Sequence, residues 1–286
     1  MVTALVVTVP AAEAELAADA LWALGVLAIE ERMPMGAGTP ADPGTTDRLV
    51  ELWTSLGDDV EEIARAAAGF SARWRWHLVE VDPAVAESWR RHAVASWVAE
   101  DVVVVPAWVD FTPPEHAPAG LHVLRIEPGP TFGLGDHPTT VLSLRALRAA
   151  VWPEATVLDV GCGSGVLAVG AVRFGASHVE AIDTFAAAVA VTAANAEANG
   201  VGARVHASTT PLAAVDDTFD VVVANILAPV LVDLAGDLLR VLRPAGVLVV
   251  SGLLAGRYDH VVKALAPLEL AEVAEREGWV ALTLRW

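Results

Sequence analysis

The sequence predicts an α/β protein: a mostly parallel sheet covered by helices on both faces, preceded by a smaller α+β domain. Three observations carry that expectation. From about Thr139 onward, continuous Val/Ile/Leu runs alternate with helical segments, the pattern of parallel strands buried on both sides. Seven of the ten tryptophans lie in the first 108 residues, whereas nearly all the glycine-rich turns come later. Between the two regions, Pro106, Pro113, Pro114, Pro118, Pro128 and Pro130 accompany two short β-like runs, Val102–Val109 and Leu121–Glu127, which reads as a structured connector. The expected organisation is a small α+β domain at 1–100, a connector at 101–130 and the main domain at 131–286.

Each element has its own local signal. In the first domain, a β-run at Ala4–Val9 leads into an Ala/Leu-rich helix at Ala11–Leu24, followed by strands at Val26–Glu31 and Arg48–Thr54 around a Gly/Pro/Thr loop at Met33–Thr46. Helices are expected near Asp59–Ala68 and Ala84–His92, on either side of Trp74–Val81, which alternates partly with period two as a half-buried strand does. The tryptophans here are expected to be core and interface material. In the main domain, helices are expected at Thr140–Val151, Gly165–Phe174 and Ala186–Asn199, and strands at Thr156–Val160, His178–Ile182, Arg204–Ala207, Asp220–Asn225 and Gly246–Ser251. Helical segments fall between Val230 and Leu242 and between Tyr258 and Leu265, and Leu268–Arg276 with Trp279–Arg285 reads as a terminal β-pair.

Composition excludes several classes of protein. Hydrophobic residues make up 55% of the 286 positions and charged residues 19%, which rules out intrinsic disorder. A mean hydropathy of +0.50 raises the question of a membrane. Charge-free runs such as Val160–Val172 and Pro244–Gly256 reach 13 residues, short of the roughly 20 that a spanning helix needs. No basic region precedes Glu13, so no secretory signal is expected, and Cys162, the sole cysteine, excludes a disulfide framework or cysteine-rich zinc site. The cytoplasm is the expected compartment. Net charge is −18, with −12 in residues 1–116 and −6 in 117–286, and Lys263 is the single lysine. Nucleic acid is therefore an unexpected partner; the charge favours a cationic protein or peptide, or simply keeps an apolar protein in solution.

The strongest local signal is Asp159-Val160-Gly161-Cys162-Gly163-Ser164-Gly165 at a strand-to-helix turn, where open α/β sheets bind ligands. Such glycines allow close backbone approach and are expected to leave N–H groups free at the helix start. Val166 stands where a dinucleotide fingerprint needs its third glycine. Asp159 is a poor neighbour for a pyrophosphate and suits a cationic ligand end, such as the ammonium and sulfonium of S-adenosylmethionine. Asp183 ends the next strand 20 residues after Gly163, placed to accept hydrogen bonds from ribose hydroxyls. A second Gly-rich turn, Phe132–Thr140, enters the helix before the first strand of the sheet; Thr139 or Thr140 there serves as helix N-cap or faces a cofactor. Asn225, in Ala224-Asn225-Ile226-Leu227-Ala228-Pro229, ends another strand, where a carboxamide can accept a hydrogen bond from an incoming amine. His137 reads as a turn residue beside Pro138, Cys162 as a small residue in a tight loop, and no metal is implied.

These segments together, with Ser251-Gly252-Leu253-Leu254 and the late Glu277-Gly278-Trp279-Val280-Ala281-Leu282, resemble the PrmA-type ribosomal protein L11 methyltransferases. The resemblance covers the whole chain in length and order, and is closest in motifs over about residues 124–286. It implies a Rossmann-like class I methyltransferase domain behind a substrate-recognition domain, with S-adenosylmethionine as cofactor. Thr140, Gly161, Asp183 and Asn225 are the cofactor-binding positions it implies, and Phe132, Asp159, Gly163 and Gly165 complete the expected set, with Asn225 also positioning the amine. The implied acceptors are lysine side chains and the N-terminal amine of ribosomal protein L11. Leu134, Pro229 and Ala186–Ala188 depart from the family's usual residues. Two alternatives stand beside this reading: a methyltransferase acting on another protein lysine or a small molecule, and a non-catalytic ribosome-associated protein that keeps the fold.

Overall fold

The computed structural model describes residues 2–22, 29–32, 49–55, 65, 67–81, 90, 93–129, 135 and 137–286. Two compact units divide between Ala93 and Val94. In the first, β1 (Val2–Pro10), α1 (Ala14–Trp22), β2 (Ile29–Arg32), β3 (Leu49–Ser55) and β4 (Arg75–Val81) form a four-stranded sheet in the order β2-β3-β1-β4. Every pairing in it is antiparallel. Leu5, Val7 and Val9 of β1 pack with Ala17 and Leu21 of α1, Val50 and Leu52 of β3, and Trp74. Trp74 is buried, and its indole N–H donates to Glu13 at 2.8 Å, which satisfies the one polar atom such a ring carries into a core. The expected loop at Met33–Thr46 and the expected helices near Asp59–Ala68 and Ala84–His92 lie wholly or largely outside the described residues.

The second unit opens with β5 (Ser96–Ala99), β6 (Val102–Pro106) and β7 (His122–Ile126), a three-stranded sheet in that order. The β5 strand, antiparallel to β6, has no counterpart in the sequence reading. Where the sequence suggests a separate connector at 101–130, these strands belong to the larger unit. The reason is physical: Val98, Val102, Val104, Leu124 and Ile126 share one core with the residues behind the main sheet.

That sheet comprises β8 (Thr156–Val160), β9 (His178–Ile182), β10 (Val205–Ser208), β11 (Phe219–Asn225), β12 (Leu242–Leu254), β13 (Glu269–Arg276) and β14 (Trp279–Arg285) in the order β10-β9-β8-β11-β12-β14-β13. The first five strands run parallel, and β14 is antiparallel to both its neighbours. Successive residues such as Val221, Val222, Val223 and Ala224 are all fully buried, because helices cover both faces. One face carries α2 (Pro138–Ala150), α3 (Val166–Phe174) and α4 (Ala186–Ala198); the other carries α5 (Ala228–Asp233), α6 (Ala235–Val241) and α7 (Asp259–Ala264). The strand order reverses between β8 and β11, so the crevice at their carboxyl ends is where this architecture leaves room for a ligand. Among the described residues no helix is long and apolar enough to cross a membrane, and no group of three or more His, Cys, Asp and Glu could hold a metal ion.

Candidate active site

The loops after β8 and β11 meet the last residues of β12, and glycine is what lets them meet. A Cβ on Gly161 would stand 2.5 Å from Ile226 Cγ2, and one on Gly252 would overlap the Ile226 backbone. The segment after β11 is thus gripped between two residues without side chains, both at positive φ (75° and 86°). Asn225, at the end of β11, is held at the mouth of the crevice as a result.

The glycine turn differs from the sequence expectation in one respect: its amides are not left free. Gly161 and Cys162 both donate to the Ile182 carbonyl at 2.8 and 3.1 Å, Gly163 donates to Asp183 Oδ2 at 3.0 Å, and Gly165 donates to the Cys162 carbonyl at 2.7 Å. The turn is closed on itself and on the end of β9. Asp183 also accepts from the Phe185 amide at 3.0 Å through Oδ1. A carboxylate has about four acceptor sites, so Asp183 can brace both turns and still accept from two hydroxyls. Despite the departure at Ala186–Ala188, α4 starts at Ala186, with Phe185 as its N-cap.

Sequence reasoning did not find the buttress behind this turn. Thr192 of α4 donates to the Gly163 carbonyl at 3.1 Å, and Asn195 Nδ2 donates to the Ser164 carbonyl at 2.8 Å. The available signal was Thr192, Asn195 and Asn199 at helical spacing on an otherwise Ala/Val-rich helix, a polar stripe on a segment that must be buried. Cys162 Sγ lies 3.2 Å from the Thr192 hydroxyl oxygen, and burial pushes its thiol well above the ordinary range, which leaves it an unreactive packing residue.

Asp159 is fully buried, and neither of its oxygens meets a hydrogen-bond donor among the described residues. Burial raises its pKa from 3.8 to about 7, and the nearby Asp183 charge adds to that rise. Thr140 is equally buried, in the first turn of α2, and its hydroxyl also lacks a partner among the described residues. Orphaned acceptors of this kind are costly in a native core unless a ligand or water completes them. They fit a ligand that brings positive charge and donors of its own, as the ammonium and sulfonium groups of S-adenosylmethionine do, and they disfavour a pyrophosphate.

The cap of α2 is His137, not Thr139 or Thr140: its ring Nδ1 accepts from the Thr139 amide at 3.3 Å, and Pro138 occupies the first turn. Thr139 Oγ1 lies 2.8 Å from the same ring nitrogen and accepts from Asn225 Nδ2 at 3.3 Å. Of the two threonines, Thr139 meets Asn225. Phe132 and Leu134 lie outside the described residues. Pro229 falls in the first turn of α5, where a missing N–H costs nothing.

A five-stranded parallel core extended by an antiparallel pair, with an acidic residue near the end of β8, three glycines after it and a second acidic residue after β9, defines an S-adenosylmethionine-dependent class I methyltransferase. Comparison with known proteins narrows the class. The family model for ribosomal protein L11 methyltransferase (PrmA) matches residues 3–286, and the chain belongs to that family. A ribosomal protein L11 methyltransferase of Pelotomaculum thermopropionicum is 38% identical over 268 residues, covering 92% of this chain and 83% of the relative. One from Symbiobacterium thermophilum is 39% identical over 235 residues, covering 82% and 74%. The crystal structure of ribosomal protein L11 methylase from Lactobacillus delbrueckii subsp. bulgaricus superimposes with a TM-score of 0.62 at 31% identity, over 67% of this chain and 98% of that one.

Proposed function

We propose that this chain methylates ribosomal protein L11, on lysine side chains and the N-terminal amine. The observation that carries the chemistry is Asn225: its amide nitrogen is engaged by Thr139, and its carbonyl oxygen has no partner among the described residues. A fixed acceptor at that place takes a hydrogen bond from a neutral amine and turns the nitrogen lone pair into the crevice. Alignment at about 3–3.5 Å supplies much of the rate enhancement in such a displacement. Asp183 would hold the ribose hydroxyls; Asp159, Thr140 and the turn at Gly161, Gly163 and Gly165 would hold the methionine portion. When bound, S-adenosylmethionine supplies the methyl group on a sulfonium and leaves as S-adenosylhomocysteine. The amine gives up its proton to solvent before attack, so turnover rises toward alkaline pH.

Family membership, together with a net charge of −18 that attracts a cationic acceptor, supports the protein substrate. In this reading the unit Met1–Ala93 selects the acceptor, and the work is done in the cytoplasm. The test is mass spectrometry of the organism's own L11 after incubation with this protein and S-adenosylmethionine. Mass gains in whole methyl increments on lysines or the N-terminus are expected. An unchanged mass, with cofactor binding verified in parallel, refutes L11 as the acceptor.

A further inference from the structure

His137 stands two contacts away from Asn225, and the direction of each hydrogen bond along the way is determined. The Thr139 backbone N–H points at His137 Nδ1 from 3.3 Å, so that nitrogen carries a lone pair. The Thr139 hydroxyl, 2.8 Å from the same Nδ1, must then donate its proton to it. With its proton committed, Thr139 Oγ1 can only accept from Asn225, at 3.3 Å, and a carboxamide facing an acceptor turns its NH2 that way. The Asn225 carbonyl oxygen is left facing away from Thr139. The imidazole is itself clamped edge-on by Trp279 of β14, with ring centroids 5.2 Å apart. Flipping the carboxamide of Asn225 would present N–H to an incoming amine, and an N–H cannot accept from it.

From this geometry we infer that His137 is a positioning residue for methyl transfer, acting through Thr139 to fix which end of the Asn225 amide faces the acceptor amine. The inference rests on the reading of Asn225 given above. His137 makes no contact with the reacting atoms in this scheme and exchanges no proton; its unprotonated Nδ1 sets the orientation of the hydroxyl, and the hydroxyl sets the orientation of the amide.

The test uses the full chain in five single variants, Thr139→Val, Thr139→Ser, His137→Ala, His137→Asn and Asn225→Ala, and the double variant Thr139→Val with Asn225→Ala. Steady-state transfer to L11 gives kcat and KM, and calorimetry gives the S-adenosylhomocysteine Kd. Thr139→Val, which keeps the shape and removes the hydroxyl, and His137→Ala are expected to lower kcat about ten- to a hundredfold. Kd for the cofactor product should stay within about twofold, since neither change removes an assigned cofactor ligand. Thr139→Ser and His137→Asn, which restore a donor and a capping acceptor respectively, should recover most of kcat. Adding Thr139→Val to Asn225→Ala should cost nothing further, because one acts through the other. Undiminished kcat in Thr139→Val, failure of Thr139→Ser to rescue, or additive losses in the double variant would overturn the inference while leaving Asn225 in place. Undiminished kcat in Asn225→Ala would overturn the reading of Asn225 and this inference with it.

Discussion

Asp159 is a carboxyl buried in the site without a counter-charge among the described residues. Its carboxyl ionises near 3.8 when exposed and at about 7 in the fold, with burial as the main cause. Between those values the folded protein retains a proton that the unfolded chain has lost, so stability falls as pH rises through that window. The accumulated cost above pH 7 is on the order of 4 kcal/mol. Below pH 3.8 both states are protonated and the group contributes nothing to the difference. Urea denaturation from pH 4 to 8 should show Asp159→Asn gaining on the parent protein as pH rises, with the two converging at acid pH. Parallel curves would mean that the carboxyl ionises freely in the fold.

At the scale of elements, α4 does more than cover the sheet. Asn199 Oδ1 accepts from the Arg125 amide at 3.0 Å while its Nδ2 donates to the Arg125 carbonyl at 2.7 Å. Asn195 repeats the pattern two residues on, accepting from the Glu127 amide at 2.9 Å and donating to its carbonyl at 2.8 Å. Two side chains thus act as a surrogate strand along the edge of β7, satisfying backbone groups that β6 leaves unpaired. Asn195 also holds the Ser164 carbonyl, so the same helix ties the short sheet and the glycine turn together. Asn199→Ala strands two partly buried backbone groups of Arg125 and should lower the unfolding free energy by about 2 kcal/mol, read from denaturant midpoints. A change near zero would mean that water replaces the amide at no cost.

For the whole molecule, the cores are separate among the described residues. The core of the first unit draws on residues between Leu5 and Trp74, and those of the second on residues between Val98 and Leu284. All the described site residues fall in the second unit. The fragment 94–286 is therefore expected to fold, to bind S-adenosylhomocysteine within about threefold of the full chain, and to gain about 2.7 kcal/mol of stability at a hundredfold excess over Kd. It should lose transfer to L11 if the first unit selects the acceptor. Retained transfer by the fragment would remove that role from residues 1–93.

The sequence by itself determined the alternation of strands and helices, the strand ends at Asp159, Asp183 and Asn225, and the glycine turn between them. These are local patterns: apolar runs of strand length, helical spacing, and glycines at positive φ can all be read within a few residues. Only the tertiary structure decided that His137 caps α2, that Thr139 rather than Thr140 meets Asn225, and that the glycine-turn amides are already bonded. It also decided that the short sheet joins the main core and that β14 runs antiparallel between β12 and β13. Those facts depend on partners far apart in the chain. Thr139 and Asn225 are 86 residues apart and Asn199 and Arg125 are 74, so only the packed fold brings each pair together.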